Sequence, residues 1–132
     1  MIKLSELRSG DLVKAKYEGQ MIEGAVTEVN REDKEVGVET DVQEYFFTPD
    51  SLFPIPLDEN QLFKLGFSRN VLDDGAVKYM RNSFRLMIPK DGDFSTMELW
   101  WREDRRHLVQ PINVHELQNH YHQMTKVDLT PA

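Results

Sequence analysis

Apolar and polar residues alternate along the first third of the chain at the spacing of β-strands. Alternation with a period of two directs one face of each strand toward a core. Polar turns at 18–19 and 30–33 separate the apolar runs, and this pattern predicts a small barrel or a strongly bent sheet over residues 1–53. The runs lie at 13–17, 22–26, 36–38 and 45–47.

Prolines interrupt this pattern at 49, 54 and 56. Proline lacks the backbone N–H that a sheet requires and keeps the preceding residue extended. We therefore expect a stiff connector over residues 49–57. It marks the boundary between an SH3-like β-module, residues 1–53, and a second module, residues 54–132. Because the chain has only 132 residues, the two modules are expected to pack as one compact unit.

A short helix is predicted directly after the connector. Asp58 is suited to cap its first turn, with Gln61 at the third helical position, and Gly66 is placed to end it. Three apolar residues would form its buried side. They are Leu62, Phe63 and Leu65.

Alternation returns in the second module, where it predicts an antiparallel β-meander. The inward positions are Val77, Tyr79, Phe84, Leu86, Ile88, Met97, Leu99 and Trp101. A strong turn is expected at 89–93 and a second one at 103–104.

The chain closes with a second helix in this interpretation. Asn113 is its predicted cap, and Glu116 would complete a capping box. Apolar residues on one arc would pack on the sheet, and the overall prediction is an α+β fold. The arc consists of Val114, Leu117, Tyr121 and Met124.

Two resemblances add to this prediction. Residues 10–13 (Gly-Asp-Leu-Val) and the glycine-containing second strand resemble the start of an SH3-like barrel. Residues 5–13, 54–67 and 114–125 together resemble a family of small proteins of gut anaerobic bacteria and their phages. This second resemblance implies an arrangement of elements and a mobile-element origin, and it implies no activity.

The chain departs from that family pattern in its last helix. His120 and His122 stand where apolar or aromatic residues are usual, and no acidic ending follows Thr125.

Charge is unevenly distributed along the chain. The net charge is −7, with 6 Lys/Arg against 14 Asp/Glu in residues 1–60 and 10 against 9 in residues 61–132. Such an acidic first half repels phosphate backbones. Cysteine is absent, which excludes thiolate chemistry and fits a cytoplasmic location, and no apolar run reaches membrane-spanning length.

The sequence offers no catalytic or metal-binding pattern. His115 and His122 share a helix face but lie seven residues, about 10 Å, apart, too far to bind one ion. Neither His107 nor His120 completes a ligand set, and no glycine pattern or nucleophile elbow is present. We therefore predict no enzymatic activity, no metal site and no cofactor.

The residues around Trp100 form the first candidate interaction site, with Arg102, Arg105 and Arg106. Alternation places Trp100 with Glu98 and Arg102, opposite Leu99. If that face is exposed, the indole is a binding hot spot or a stacking platform for a base. If the last helix covers the face, Trp100 belongs to the core, and the burial typical of tryptophan favours this alternative.

The acidic residues Glu32, Asp33 and Glu35 form the second candidate surface. We predict a cytoplasmic binding protein, an accessory factor of a phage or mobile element that acts through a protein partner. The alternative is a nucleic-acid-binding protein that uses the arginines and tryptophan of the second half. Self-association stays open, and no membrane is expected as a partner.

Overall fold

The computed structural model describes residues 2–131 and has the predicted α+β composition. Within this range, ten strands form two antiparallel five-stranded sheets, accompanied by two α-helices. The first sheet contains β1 (Leu12–Tyr17), β2 (Gln20–Asn30), β3 (Glu35–Glu39), β4 (Glu44–Phe47) and β5 (Leu52–Phe53). The second contains β6 (Ser68–Val71), β7 (Val77–Arg81), β8 (Phe84–Ile88), β9 (Met97–Trp101) and β10 (Asp104–Leu108). The helices are α1 (Glu59–Lys64) and α2 (Val114–Thr125).

The chain divides into two compact units. The first comprises Met1–Ile55 with Asn113–Asn119, and the second comprises Pro56–Ile112 with His120–Ala132. Helix α2 therefore contributes its first residues to one unit and its last residues to the other. In the described part of the chain, no helix has the length and apolar character needed to cross a membrane.

The first sheet has the strand order β4-β3-β2-β1-β5 and is strongly bent. Gly24 on β2 allows this bend, because an added Cβ would lie 2.6 Å from the carbonyl oxygen of Glu39. A bulge between Val26 and Glu28 bends the same strand further. Valine and alanine side chains form part of the core that results, together with larger residues such as Leu7 and Phe47. It includes Val13, Ala15, Val26, Val36 and Val38.

Strand β5 lies within the segment predicted to be a connector, so that prediction was incomplete. Pro49 begins a short 3-10 turn (Pro49–Ser51), and Pro54 follows the strand. The backbone donors of residues 52 and 53 therefore remain available, and both residues pair with β1.

The second sheet is a meander with the strand order β10-β9-β8-β7-β6. The predicted inward residues of β7, β8 and β9 are buried, except that Trp101 at the end of β9 is half-buried. Strand β6 was not predicted, because all four of its residues are exposed and do not alternate. The last turn is Arg102–Glu103, one residue earlier than expected.

Helix α1 begins and ends as the sequence predicts. The Asp58 side chain accepts a hydrogen bond from Gln61 N at 2.9 Å. At the other end Gly66 has φ +84°, and Phe67 N donates to Leu62 O, which is a Schellman ending. Phe63 does not belong to the buried side as expected. It is 45 % exposed, because the buried side of this six-residue helix consists of Gln61 and Leu62, followed by Leu65 at its C-terminal cap.

Helix α2 buries the predicted apolar arc of Val114, Leu117, Tyr121 and Met124. Glu116 accepts a hydrogen bond from Asn113 N at 2.9 Å, as the predicted capping box requires. His115 and Gln118 are also buried, although neither belongs to the predicted apolar arc.

Candidate functional site

The outer face of the second sheet is the surface opposite its apolar core. Strand register arranges this face in two rows of cross-strand neighbours. The tryptophan row runs Ser68, Met80, Arg85, Trp100, Arg105, and the histidine row runs Asn70, Lys78, Met87, Glu98, His107. None of these side chains is buried, whereas the alternate residues of β7, β8 and β9 on the opposite face form the core. No element of the described chain therefore covers the face.

Trp100 stands between two arginines of neighbouring strands. The guanidinium carbon of Arg105 lies 4.0 Å from the ring centroid, and that of Arg85 lies 4.7 Å from it. Because β8 and β10 flank β9, the two cations reach the indole from the two strands next to its own. The indole N–H donates to the carbonyl oxygen of Arg102 at 2.7 Å, which ties the ring to the β9–β10 turn. The cluster is thus held in one arrangement without any ligand.

The histidine row continues into a groove of about 250 Å³. Met87, Glu98 and His107 line its side toward the outer face, and Asp74 and Pro89 line the adjoining turns. His107 Nδ1 lies 3.6 Å from a carboxylate oxygen of Glu98. The outer face therefore joins a cationic aromatic cluster to a shallow cavity with an apolar wall.

The outer face has a net positive charge although the whole chain is acidic. Lys78, Arg85 and Arg105 supply three positive charges against the single carboxylate of Glu98. Arg85 Nε is buried and makes no hydrogen bond to the described residues. Such a surface favours a ligand that supplies carboxylates or phosphates.

The candidate residues around Trp100 occupy different surfaces. Arg105 lies on the outer face, beside Trp100. Arg102 has φ +54° in the turn, which ends the alternation, and its guanidinium lies 5.1 Å from the Trp101 centroid. Arg106 extends toward α2, where it donates to His120 Nδ1 at 2.8 Å and to Gln123 at 2.7 Å. The structure thus brings Arg105 to Trp100 and places Arg102 and Arg106 elsewhere.

The acidic candidates Glu32, Asp33 and Glu35 lie at the exposed hairpin between β2 and β3. Asp33 is held by Asn30, whose side chain both donates to its carboxylate at 3.0 Å and accepts from its backbone N–H at 3.1 Å. Arg31 and Lys34 alternate with these carboxylates and leave the segment with three negative and two positive charges.

Each of the four histidines lies beside a different partner side chain. His115 lies 3.5 Å from Glu6, His122 lies 3.0 Å from Asp128, and His120 accepts from Arg106. Across residues 2–131, no three His, Asp or Glu side chains are grouped so that they could hold a metal ion.

A buried polar cluster joins the start of β1 to the first part of α2. Gln118 donates to Gly10 O at 2.9 Å and accepts from Leu12 N at 2.8 Å. Asp11 accepts from Arg8 N at 2.9 Å, and its burial raises the pKa of the carboxyl to about 6. These side chains satisfy backbone groups at a strand end, which explains their burial without a ligand.

The sequence indicated that Arg85 could add to a basic patch with Arg105, but it did not predict which residues lie beside Trp100. Arg85 and Met80 share its row, and Met87 lies in the adjoining one. Their spacing of two within β7 and β8 would have placed them on one face. Only the register of the hairpins aligns them with Trp100, and register depends on the turn lengths.

Comparison with known proteins yields no match to a family model, to a curated protein or to a solved structure.

Proposed function

We propose that the protein is a binding module that recognises a protein partner through the outer face of its second sheet. The observation that supports this is an uncovered sheet face with Trp100 fixed between Arg85 and Arg105. Tryptophan and arginine dominate interface hot spots, and methionine is enriched at interfaces. Because the cluster is already ordered, a partner would lose little side-chain entropy on binding.

The partner in this proposal presents carboxylates beside an apolar contact. The guanidiniums of Arg85 and Arg105 offer charge-assisted hydrogen bonds to acidic side chains. Met80 and Met87 offer adaptable apolar surface next to them. A nucleic acid is the less favoured ligand, because two guanidiniums already lie over the indole on which a base would stack.

We also propose an SH3-like relationship for the first unit. Its support is the strand order, in which β1 lies between β2 and β5, together with the 3-10 turn directly before β5. The resemblance to proteins of gut anaerobes and their phages extends the proposal to a cytoplasmic accessory factor of a mobile element.

The test is capture from a lysate of the native host, with and without nuclease, using matched charge reversals. Arg105→Glu should abolish capture of a nuclease-resistant partner, because it places a carboxylate beside Trp100. Arg102→Glu makes the same charge change off the outer face and should retain capture. A third variant reverses Glu32, Asp33 and Glu35.

Three outcomes would overturn the proposal. Equal capture by both arginine variants would exclude the outer face, and loss only in the acidic triple variant would move the site to the β2–β3 hairpin. Capture that disappears with nuclease would assign the face to nucleic acid.

A further inference from the structure

The first unit contains a second surface with different chemistry, which we name the tyrosine groove. It has a volume of about 270 Å³ and lies where the β1–β2 and β3–β4 turns meet. The Tyr17 and Tyr45 ring centroids are 4.6 Å apart, although β2 and β3 lie between their strands in the sheet order. Curling of the sheet therefore brings the two rings together. The other residues that matter are Glu18, Ile22, Asp41 and Val42.

Both turns that form the tyrosine groove are fixed by local structure. Glu18 and Gly19 have φ values of +49° and +78°, as a two-residue type I′ hairpin turn requires. In the other turn, Thr40 Oγ1 donates to Gln43 O at 2.9 Å and accepts from Val42 N at 3.2 Å. The carboxylates of Glu18 and Asp41 therefore project from rigid supports on the two sides of the groove.

The tyrosine groove combines aromatic, apolar and acidic groups. Tyr17 is 38 % exposed and Val42 is 76 % exposed, so both present apolar surface to solvent. Glu18 raises the pKa of the Tyr17 hydroxyl, which reflects the negative potential at this end of the sheet. Aromatic rings beside carboxylates attract cations. Residues 1–60 contain 14 Asp/Glu against 6 Lys/Arg, and these acidic surroundings also favour a positively charged ligand.

The spacing of the rings selects the kind of cation. At 4.6 Å the two rings touch, so a cation has no room between them and must lie flat on an outer ring surface. A planar guanidinium stacks in this way and can donate to carboxylates at its edge. An ammonium is more strongly hydrated and does not stack. The exposed Val42 side chain and Ile22 would contact the aliphatic stem of such a ligand.

We propose that the tyrosine groove binds an arginine side chain in a basic segment of a protein partner. The guanidinium stacks on Tyr17, while Glu18 and Asp41 accept its hydrogen bonds. This proposal concerns a surface other than the outer face and does not depend on the function proposed above.

The test uses two blocked peptides of equal charge, Gly-Arg-Gly-Arg-Gly and Gly-Lys-Gly-Lys-Gly, titrated into the whole protein at low salt. Calorimetry gives the affinity, and NMR shifts of the tyrosine rings locate the site. We expect the arginine peptide to bind about tenfold more tightly, which is a typical contribution for a partly desolvated cation–π contact. Binding should weaken as salt is raised.

Three variants separate stacking from general charge attraction. Tyr17→Leu should weaken arginine-peptide binding about tenfold, whereas Tyr17→Phe keeps the ring and should bind as the parent does. Glu18→Gln, in an exposed turn, removes the carboxylate and should weaken binding about threefold. This last variant provides a test even if Tyr17→Leu fails to fold.

The proposal is overturned if the two peptides bind equally, since that outcome means attraction by net charge alone. It is also overturned if neither peptide binds at low salt, or if Glu18→Gln and Tyr17→Leu both leave the affinity unchanged.

Discussion

The two sheets have the same number of strands but present their exposed chemistry in different places. In the first sheet, β5 returns beside β1 and the strands curl, so that polar and aromatic side chains meet at the turns. In the second sheet, each strand pairs with its neighbour along the chain, and one broad face remains uncovered. The exposed aromatic and charged groups thus lie at the end of the first sheet and on one face of the second sheet.

The two units also differ in the residues that form their cores. Valine and alanine make up five of the nine buried residues of the first core in the described chain, beside Ile2, Leu7, Phe47 and Leu52. The same unit holds the buried polar groups Asp11, His115 and Gln118, and the second core contains large residues, among them Tyr79, Phe84 and Met97. The first unit meets α2 at the start of β1 through hydrogen bonds of Gln118, whereas the meander buries apolar side chains along β7, β8 and β9.

The largest expected effect distinguishes the two faces of β9. Leu99→Ala should lower the free energy of unfolding by about 4 kcal/mol, because Leu99 is fully buried and its removal leaves a cavity. Trp100→Ala should cost only about 1 kcal/mol, since it removes two cation–π contacts on a half-buried side chain. Urea unfolding measures both variants. If both substitutions lower the free energy of unfolding equally, the outer face stabilises the fold as much as the core does.

A smaller effect tests the curl of the first sheet. Gly24→Ala should destabilise the protein by about 2 kcal/mol, because the added methyl group meets the Glu39 carbonyl oxygen, which β3 holds in place. Gly19→Ala is the matched control. It meets nothing within 4 Å and should cost about 1 kcal/mol through its φ of +78°. Thermal unfolding compares them, and a Gly24→Ala variant as stable as the parent would contradict the close approach.

A third effect depends on pH and concerns the buried carboxyl of Asp11 in the first unit. The folded-state pKa of Asp11 is about 6, raised by burial from 3.8, so folding favours the protonated acid. The stability that this protonation supplies is complete below pH 4 and is lost as pH rises through 6. Asp11→Asn stays neutral and still offers an acceptor to Arg8 N. It should nearly match the parent at pH 3.5 and exceed it by about 3 kcal/mol at pH 7.5.

Chemical denaturation at these two pH values measures the difference. Because the parent and the variant share every other carboxyl group, titration of those groups cancels. A stability difference that does not change with pH would contradict the raised pKa of Asp11.

The sequence predicted those strands and helices in which burial of one face produces a regular spacing of apolar residues. Strands β7, β8 and β9 alternate because one face is buried, and α1 has a recognisable cap and glycine ending. Strand β6 has no such signal, because all its side chains are exposed. The two-residue β5 is too short to show a period, and its pairing with β1 is a long-range event.

The candidate site was predictable in part for a similar reason. Alternation placed Trp100 opposite Leu99, which fits the observed burial. The position of the turn then decided which residue of β10 lies directly beside Trp100. With the turn at Arg102–Glu103, Arg105 is the cross-strand neighbour and Arg106 pairs with Leu99. The predicted turn at 103–104 would have paired Trp100 with His107 instead, so the face of Arg105 followed from alternation but its contact with Trp100 depended on the register.

Site-specific photo-crosslinking tests the central claim, that the outer face binds a protein, most directly. A photoreactive phenylalanine would replace the partly exposed Met80 on the outer face, and in a control it would replace Val71, which is exposed and lies on β6 of the same sheet. We predict one nuclease-resistant protein adduct in the native host from position 80, lost when Arg105→Glu is added, and none from position 71. The same adduct from both positions, or one that consists of nucleic acid, would contradict the account.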